Sequence, residues 1–197
     1  AKSKVPPMPL DVCVAKSQGE IGYLLQKTLM GKVEKPVVTV VTQVLVDERD
    51  PAFKNPTKPI GPAYKRKLRG LKMVKTHKGY RRVVPSPLPL RIVEGQVIKQ
   101  LVKDNVVIAC GGGGIPVVKK GGKLVGVEAV IDKDLASQKL ANEIGADVLL
   151  ILTDVERVCI NYGRENQEEL EEASIEEMEE YMKEGHFPPG SMGPKVE

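Results

Sequence analysis

The chain has 197 residues, 41% of them hydrophobic but only 4% aromatic, with no tryptophan and a formal net charge of +4. That length suits one domain with a sizeable core built from Val, Ile, Leu and Ala, and no apolar run approaches the ~20 residues that span a bilayer. The opening AKSKVPPMPLDVCV lacks the apolar region of a signal peptide, so a cytoplasmic protein without a membrane partner is expected. Cys13, Cys110 and Cys159 are odd in number and widely spaced; they read as buried thiols in a reducing compartment, not as a disulfide or zinc pattern. The charge is uneven. Lys65 to Arg82 holds nine Lys or Arg and no acid, which leaves the remainder at −5.

In chain order, Pro6, Pro7 and Pro9 predict an extended, non-helical entry. From Glu20, the spacing of Ile21, Leu24, Leu25, Thr28 and Leu29 predicts a helix, with Gly31 as its C-cap. Pro36 to Asp47, PVVTVVTQVLVD, is dense in β-branched residues and predicts one central strand. Residues 48–90 change character: prolines 56, 59, 62, 85, 87 and 89 bracket the basic run, so this segment reads as an excursion, either a small subdomain or a lid. Glu94 to Lys103 predicts a helix with Val97, Ile98, Leu101 and Val102 inward.

Val106 to Val118, VVIACGGGGIPVV, follows. Val106 to Cys110 predicts a buried strand of a parallel sheet, emptying into Gly111, Gly112, Gly113 and Gly114. Such a run is either a plain turn or a place where bare backbone N–H groups face an anion. Beyond it, Gly121–Gly122 predicts a hairpin turn within Lys119 to Lys123, and Val125 to Ile131 a strand ending in Asp132-Lys133-Asp134. The next helix has Ala136, Leu140, Ala141 and Ile144 inward and Gly145 near its end. Asp147 to Asp154, DVLLILTD, predicts a third buried strand. Ser174 and Glu177 form a capping-box pattern opening a helix that runs to Gly185, with Ile175, Met178 and Met182 as its stripe. The alternation predicts an α/β fold: a three-layer αβα sandwich around a mainly parallel sheet, one domain over 1–197 with the excursion inserted. In such folds ligands collect at the carboxyl ends of strands, where the glycine run, Asp132-Lys133-Asp134 and the segment after Thr153 all fall.

Several chemistries are excluded. There is no G-x-x-x-x-G-K-[ST], the glycines do not fit G-x-G-x-x-G because position 116 is proline, and no G-x-S-x-G occurs. His77 and His186 have no metal-ligand or triad spacing, and no residue is assigned to a metal. The carboxylates of Glu165 to Glu180 fall mostly on an outer helix face and read as solvation. Lys133 between two aspartates has two readings: either an aspartate caps the helix beside a solvated lysine, or Lys133 neutralises a transferring phosphoryl group while Asp134 holds it. Lys195, in the turn Gly190 to Lys195, is a second cation of that kind.

Together, CGGGGIPVV, GVEAVIDKDLA (Gly126 to Ala136), ILTDVERVCINYG (Ile151 to Gly163) and GHFPPGSMGPK (Gly185 to Lys195) resemble carbamate kinase within the amino-acid-kinase superfamily. PMPLDVCVAKSQGEIGY, AFKNPTKPIGP and RRVVPSP resemble the same family's middle segments, in the same order. The resemblance implies a homodimer and Mg²⁺-assisted phosphoryl transfer between carbamoyl phosphate and ADP, giving ATP and carbamate. By motif, Lys133 and Lys195 would stabilise the phosphoryl group, Asp134 would organise the lysines, and Lys58 would reach the carbamoyl-phosphate side. Gly111 to Gly114 would line the phosphate region, and Asn161, Tyr162 and Met192 would lie near adenosine.

The family's Gly-Gly-Asn and His-Gly-Asn-Gly-Pro motifs do not occur here, and the stretch between Pro62 and Arg81 is shorter than the family's. The sequence therefore reads as a fragment. Three alternatives stand beside carbamate kinase: another amino-acid kinase acting on a carboxylate or phosphonate, a catalytically incomplete fragment, and a non-catalytic nucleic-acid binder using Lys65 to Arg82. Against the last, only Tyr64 and Tyr80 accompany the cations, so a solvated lid or a patch that steers anionic substrates fits better, with no nucleic-acid partner.

Overall fold

A computed structural model describes residues 8–188 and 192–196. The chain divides into two compact units, Ala1–Asp147 and Val148–Glu197, each described by itself.

The first unit opens with α1 (Leu10–Leu29), which begins directly after Pro9 rather than at Glu20. Apolar spacing missed its first half because the buried face of α1 includes Gln18 and Gly22, neither of which scores as apolar. Both make close contacts. Gln18 donates from Nε2 to the Thr42 carbonyl at 3.1 Å and accepts the Thr42 N–H at 2.9 Å. A Cβ on Gly22 would stand 2.2 Å from the Thr39 methyl, so only glycine lets the helix approach that strand. Ile21, Leu24 and Leu25, whose spacing predicts the helix, are exposed.

The expected single strand over Pro36 to Asp47 is two short strands, β1 (Val37–Thr39) and β2 (Gln43–Leu45). They join different sheets. β1 pairs in parallel with β7 (Val106–Ile108), and β2 pairs in parallel with β8 (Ile115–Lys120). The chain bends between them at Thr42, which is wholly buried and donates its hydroxyl to the Val40 carbonyl at 2.8 Å. Gln18 and the N–H of Cys110 also bond Thr42, so helix, bend and glycine turn converge there.

On its other edge β2 pairs antiparallel with β6 (Arg91–Ile92), and β8 turns through Gly121–Gly122 into β9 (Lys123–Gly126) as expected. The predicted strand over Val125 to Ile131 is confined to β9. Residues 127–131 leave the ladder and are held by separate bonds, Val127 N–H to Pro116 and Val130 N–H to Pro85.

Thr39 and Ile108 are paired neighbours on the face that meets α1. Val107, one residue along β7, must point to the opposite face. It belongs there to the core cluster that takes in Ile98 and Val102 of the α2 (Gly95–Leu101) segment and Leu140 and Ile144 of the α3 (Lys133–Ile144) segment. Helices therefore cover both faces of an α/β unit that contains parallel strand pairs, around a core of Val44, Val46, Ile92, Ile98, Val118 and Ile131. Val97, expected inward, is exposed.

The excursion is a three-stranded antiparallel sheet of its own, ordered β3 (Lys58–Tyr64), β5 (Gly79–Val84), β4 (Met73–Thr76). No Asp or Glu occurs between Asp50 and Glu94.

In the second unit, β10 (Val158–Ile160) pairs antiparallel with β11 (Glu168–Leu170), followed by α4 (Ile175–Lys183) and a single turn, α5 (Gly193–Val196). The strand expected over Asp147 to Asp154 is absent. No strand lies alongside that run among the described residues, and Val148, Leu150 and Leu152 are strongly exposed. A buried strand needs neighbours on both edges, and periodicity in one segment cannot supply them. Cys110 is buried, whereas Cys13 and Cys159 are half-exposed; all three are free thiols. Among the described residues no helix is long and apolar enough to cross a membrane.

The α4 capping box is formed on both sides: Ser174 accepts the Glu177 N–H at 3.2 Å, and Glu177 accepts the Ser174 N–H at 2.7 Å. Ser174→Ala should cost about 1 kcal/mol, read as a lower urea midpoint for the second unit; an unmoved midpoint would contradict it.

Candidate functional site

Within the first unit, the sequence-predicted residues gather at the N-terminus of α3. Asp132 caps that helix, its Oδ1 accepting the Asp134 N–H at 2.9 Å. Its other oxygen, Oδ2, accepts from Lys58 Nζ at 2.5 Å, reaching 74 residues back in sequence to the first residue of β3. Lys133 Nζ lies 3.2 Å from both oxygens of Asp134. Asp134 is buried while the Lys133 side chain is 68% exposed, so the carboxylate is fixed and the cation projects outward. Of the residues in Asp132-Lys133-Asp134, the first aspartate caps the helix and the second pairs with the lysine.

Burial works to raise the Asp132 pKa, but the hydrogen bond from Lys58, the Asp134 N–H and the nearby charges of Lys58 and Lys133 outweigh it and hold the carboxyl below its ordinary value. The group is anionic at neutral pH. A second ion pair ties the excursion to the same segment: Arg82 Nη2 lies 2.7 Å from Glu128 Oε2, and Glu128 Oε1 accepts the Leu10 N–H at 3.0 Å. The Leu10 N–H, helped by the hydrogen bond and charge of Arg82, lowers the Glu128 pKa against the opposing effect of burial.

The glycine run is a single 3₁₀ turn, Gly111–Gly113, entered through Cys110 in the left-handed region at φ 53°. Gly113, at φ 98°, has no room for a side chain: a Cβ would stand 2.3 Å from the Ile131 carbonyl oxygen. This contact seats the turn against the residue that precedes Asp132. Gly113 and Gly114 spend their N–H groups inside the turn, on Cys110 and Gly111. Gly111 and Gly112, which open the turn, are exposed. Both also border a largely apolar cavity of about 410 Å³, with α1, Thr39 and Ile108. Burial, with the nearby Glu94 carboxylate, pushes the Cys110 thiol up to about 12, so it stays protonated and is no nucleophile.

In the second unit, Tyr162, Met192 and Lys195 line one cavity of about 220 Å³, together with Thr153, Asp154 and His186. Asn161 stands beside it at φ 52°. Its N–H donates to His186 Nδ1 at 3.3 Å, and its side-chain amide donates to the Asn166 carbonyl. The other ring nitrogen of His186 lies 3.0 Å from Glu184. Pro189, Gly190 and Ser191, part of the Lys195 motif, lie outside the described residues.

A family model described as the amino acid kinase family matches residues 10–197. The chain belongs to the amino acid kinase family. Over 98% of its length it is 50% identical to the carbamate kinase of Pyrococcus horikoshii, covering 66% of that protein. It is likewise 50% identical to carbamate kinase 2 of Enterococcus faecalis over 98% of this chain and 67% of that one. Among solved structures, carbamate kinase from Giardia lamblia bound to AMP-PNP superposes with a TM-score of 0.87 at 44% identity, over 98% of this chain and 66% of that chain. The chain therefore spans about two thirds of the length of the curated relatives it matches.

For an amino acid kinase, the first unit offers Lys58 and Lys133, each paired with a carboxylate, beside a glycine turn exposed at Gly111 and Gly112. Phosphoryl transfer needs little else from a protein. Among the described residues no group of three or more His, Cys, Asp or Glu side chains could hold a metal ion.

Sequence reasoning missed three residues. Asp132 was visible as a cap, but its hold on Lys58 joins segments 74 residues apart. Glu128 was an unremarkable acid before a strand end. His186, set aside for lack of metal or triad spacing, orients the Asn161 turn through a contact across 25 residues.

Gly113→Ala forces a Cβ into the Ile131 carbonyl at a positive φ, so it should destabilise the first unit by roughly 2–3 kcal/mol, measured by urea unfolding. Gly112→Ala meets nothing within 4 Å and pays only for its φ of 65°, so it should cost less. Equal losses would contradict the seating of the turn.

Proposed function

We propose that the protein to which this chain belongs is a carbamate kinase, moving a phosphoryl group reversibly between carbamoyl phosphate and ADP. The observation that carries the reading is the convergence of Lys58, Lys133 and the glycine turn on Asp132 and Asp134. Identity of 50% to curated carbamate kinases supports the choice of substrate.

A terminal oxygen of ADP attacks the phosphorus of carbamoyl phosphate. The bond from phosphorus to the carbamoyl oxygen breaks, and carbamate leaves with the bonding electrons. Charge balances without proton transfer, so no general acid or base is required. Lys133 and Lys58 offset the negative charge on the transferring group, Asp134 keeps Lys133 aimed, and the N–H groups of Gly111 and Gly112 receive phosphate oxygens. Within the second unit, taken by itself, the cavity lined by Tyr162, Met192 and Lys195, with Asn161 beside it, is a candidate place for nucleotide. Mg²⁺ would be brought by the nucleotide and would supply further neutralisation of phosphate charge, with no residue of this chain assigned to hold it.

A homodimer and a cytoplasmic location belong to the same reading. Tyr23, Leu24 and Met30, apolar and exposed on or beside α1, support the first, and three free thiols support the second.

The full-length protein should form ATP from ADP and carbamoyl phosphate. Lys133→Ala should lower kcat by about 10²–10³ while leaving the thermal midpoint in place, since the side chain is exposed. A folded full-length protein that makes no ATP, or that phosphorylates acetylglutamate in preference, would overturn the proposal.

A further inference from the structure

The carboxylate of Asp132 divides its two oxygens between two elements distant in sequence. One accepts the Asp134 N–H and fixes the first turn of α3; the other holds Lys58 at the root of the excursion sheet. Both ends of the link are rigid. The Lys58 backbone pairs with Val84, which is buried, and Asp132 follows Ile131, buried against Gly113. The Lys58 side chain is only 32% exposed and that of Asp132 12%, so water screens the pair less than the outlying Lys133–Asp134 contact.

We infer that Asp132 is a positioning residue, whose shared carboxylate couples Lys58 of the excursion to the α3 N-terminus so that Lys58 and Lys133 meet the phosphoryl group as one pre-set pair. The inference rests on the carbamate-kinase reading for what the pair acts upon, but the coupling itself is independent of it. Holding a long lysine side chain in place before substrate arrives removes an ordering cost that would otherwise be met during binding. The excursion carries no acid of its own between Asp50 and Glu94 to restrain Lys58, so the restraint must come from outside it. Arg82–Glu128 anchors β5 separately and leaves Asp132 to fix β3.

Asp132→Asn separates this role from capping. Asparagine caps helices as well as aspartate does, through the same oxygen, but it turns an uncharged N–H₂ toward the lysine. In the full-length protein, kcat/KM for carbamoyl phosphate should fall about 10–100-fold with little change in thermal midpoint. In a Lys58→Met background the same substitution should change kcat/KM by less than about 3-fold, because the link is already gone. Hydrogen exchange on the 197-residue chain supplies a readout free of activity: in both Asp132→Asn and Lys58→Met, amides around Lys58 and Val84 should exchange faster while those of α3 keep their protection. Lys58→Met leaves the cap untouched and serves if the aspartate variant folds poorly. Faster exchange in a chain whose full-length parent makes no ATP would sustain the coupling and overturn only the functional reading. Unchanged exchange in both variants, or fully additive losses of kcat/KM, would overturn the coupling.

Discussion

A buried carboxylate is tolerated only where its charge is answered, and Asp132 is answered from two directions. The Asp134 N–H takes one oxygen and the Lys58 ammonium takes the other. That division sets much of the first unit. It fixes where α3 starts, and therefore where Asp134 and Lys133 stand. It also sets how the root of the excursion sheet meets the main unit. The glycine turn is drawn into the same place by sterics: Gly113 can approach the Ile131 carbonyl because it has no Cβ. A single point of convergence thus gathers two lysines and a glycine turn that lie far apart in the chain.

What a sequence shows of such a structure depends on how local the determining contact is. The capping box at Ser174 and Glu177, the Gly121–Gly122 hairpin and the Gly145 cap of α3 are each decided within a few residues, and each is found where spacing puts it. The start of α1 was hidden because its inward face uses Gln18 and Gly22, chosen for a hydrogen-bonded pair and for close approach to Thr39. The break between β1 and β2 was hidden because Thr42 looks like any β-branched residue until Gln18 and Cys110 are seen to bond it. The apolar run over Asp147 to Asp154 shows the reverse error, since composition describes a strand but pairing makes one.

The candidate site followed the same rule. Lys133, Asp134 and the glycines were legible because they cluster in motifs. Lys58 was named only through a family resemblance, and nothing local signalled its tie to Asp132. The excursion's one-sided charge was plain in composition, while its sheet, and the Arg82–Glu128 contact that anchors it, depend on residues 46 positions apart. Membership of the amino acid kinase family and the likeness to carbamate kinases support the proposal that these residues act through charge placement and not through covalent catalysis.

Asp132 is held as an anion by Lys58 and the α3 N-terminus despite its burial. A ¹³C-detected NMR pH titration of the Asp132 side-chain carboxyl measures this directly. Because its folded pKa lies below the ordinary 3.8, the group contributes stability that is present above pH 3.8 and lost as pH falls through the folded value. The midpoint should lie below 3.8 and rise when Lys58 is replaced by Met, which leaves the burial penalty less opposed. A midpoint at or above 3.8, or one indifferent to Lys58, would contradict that hold on Asp132.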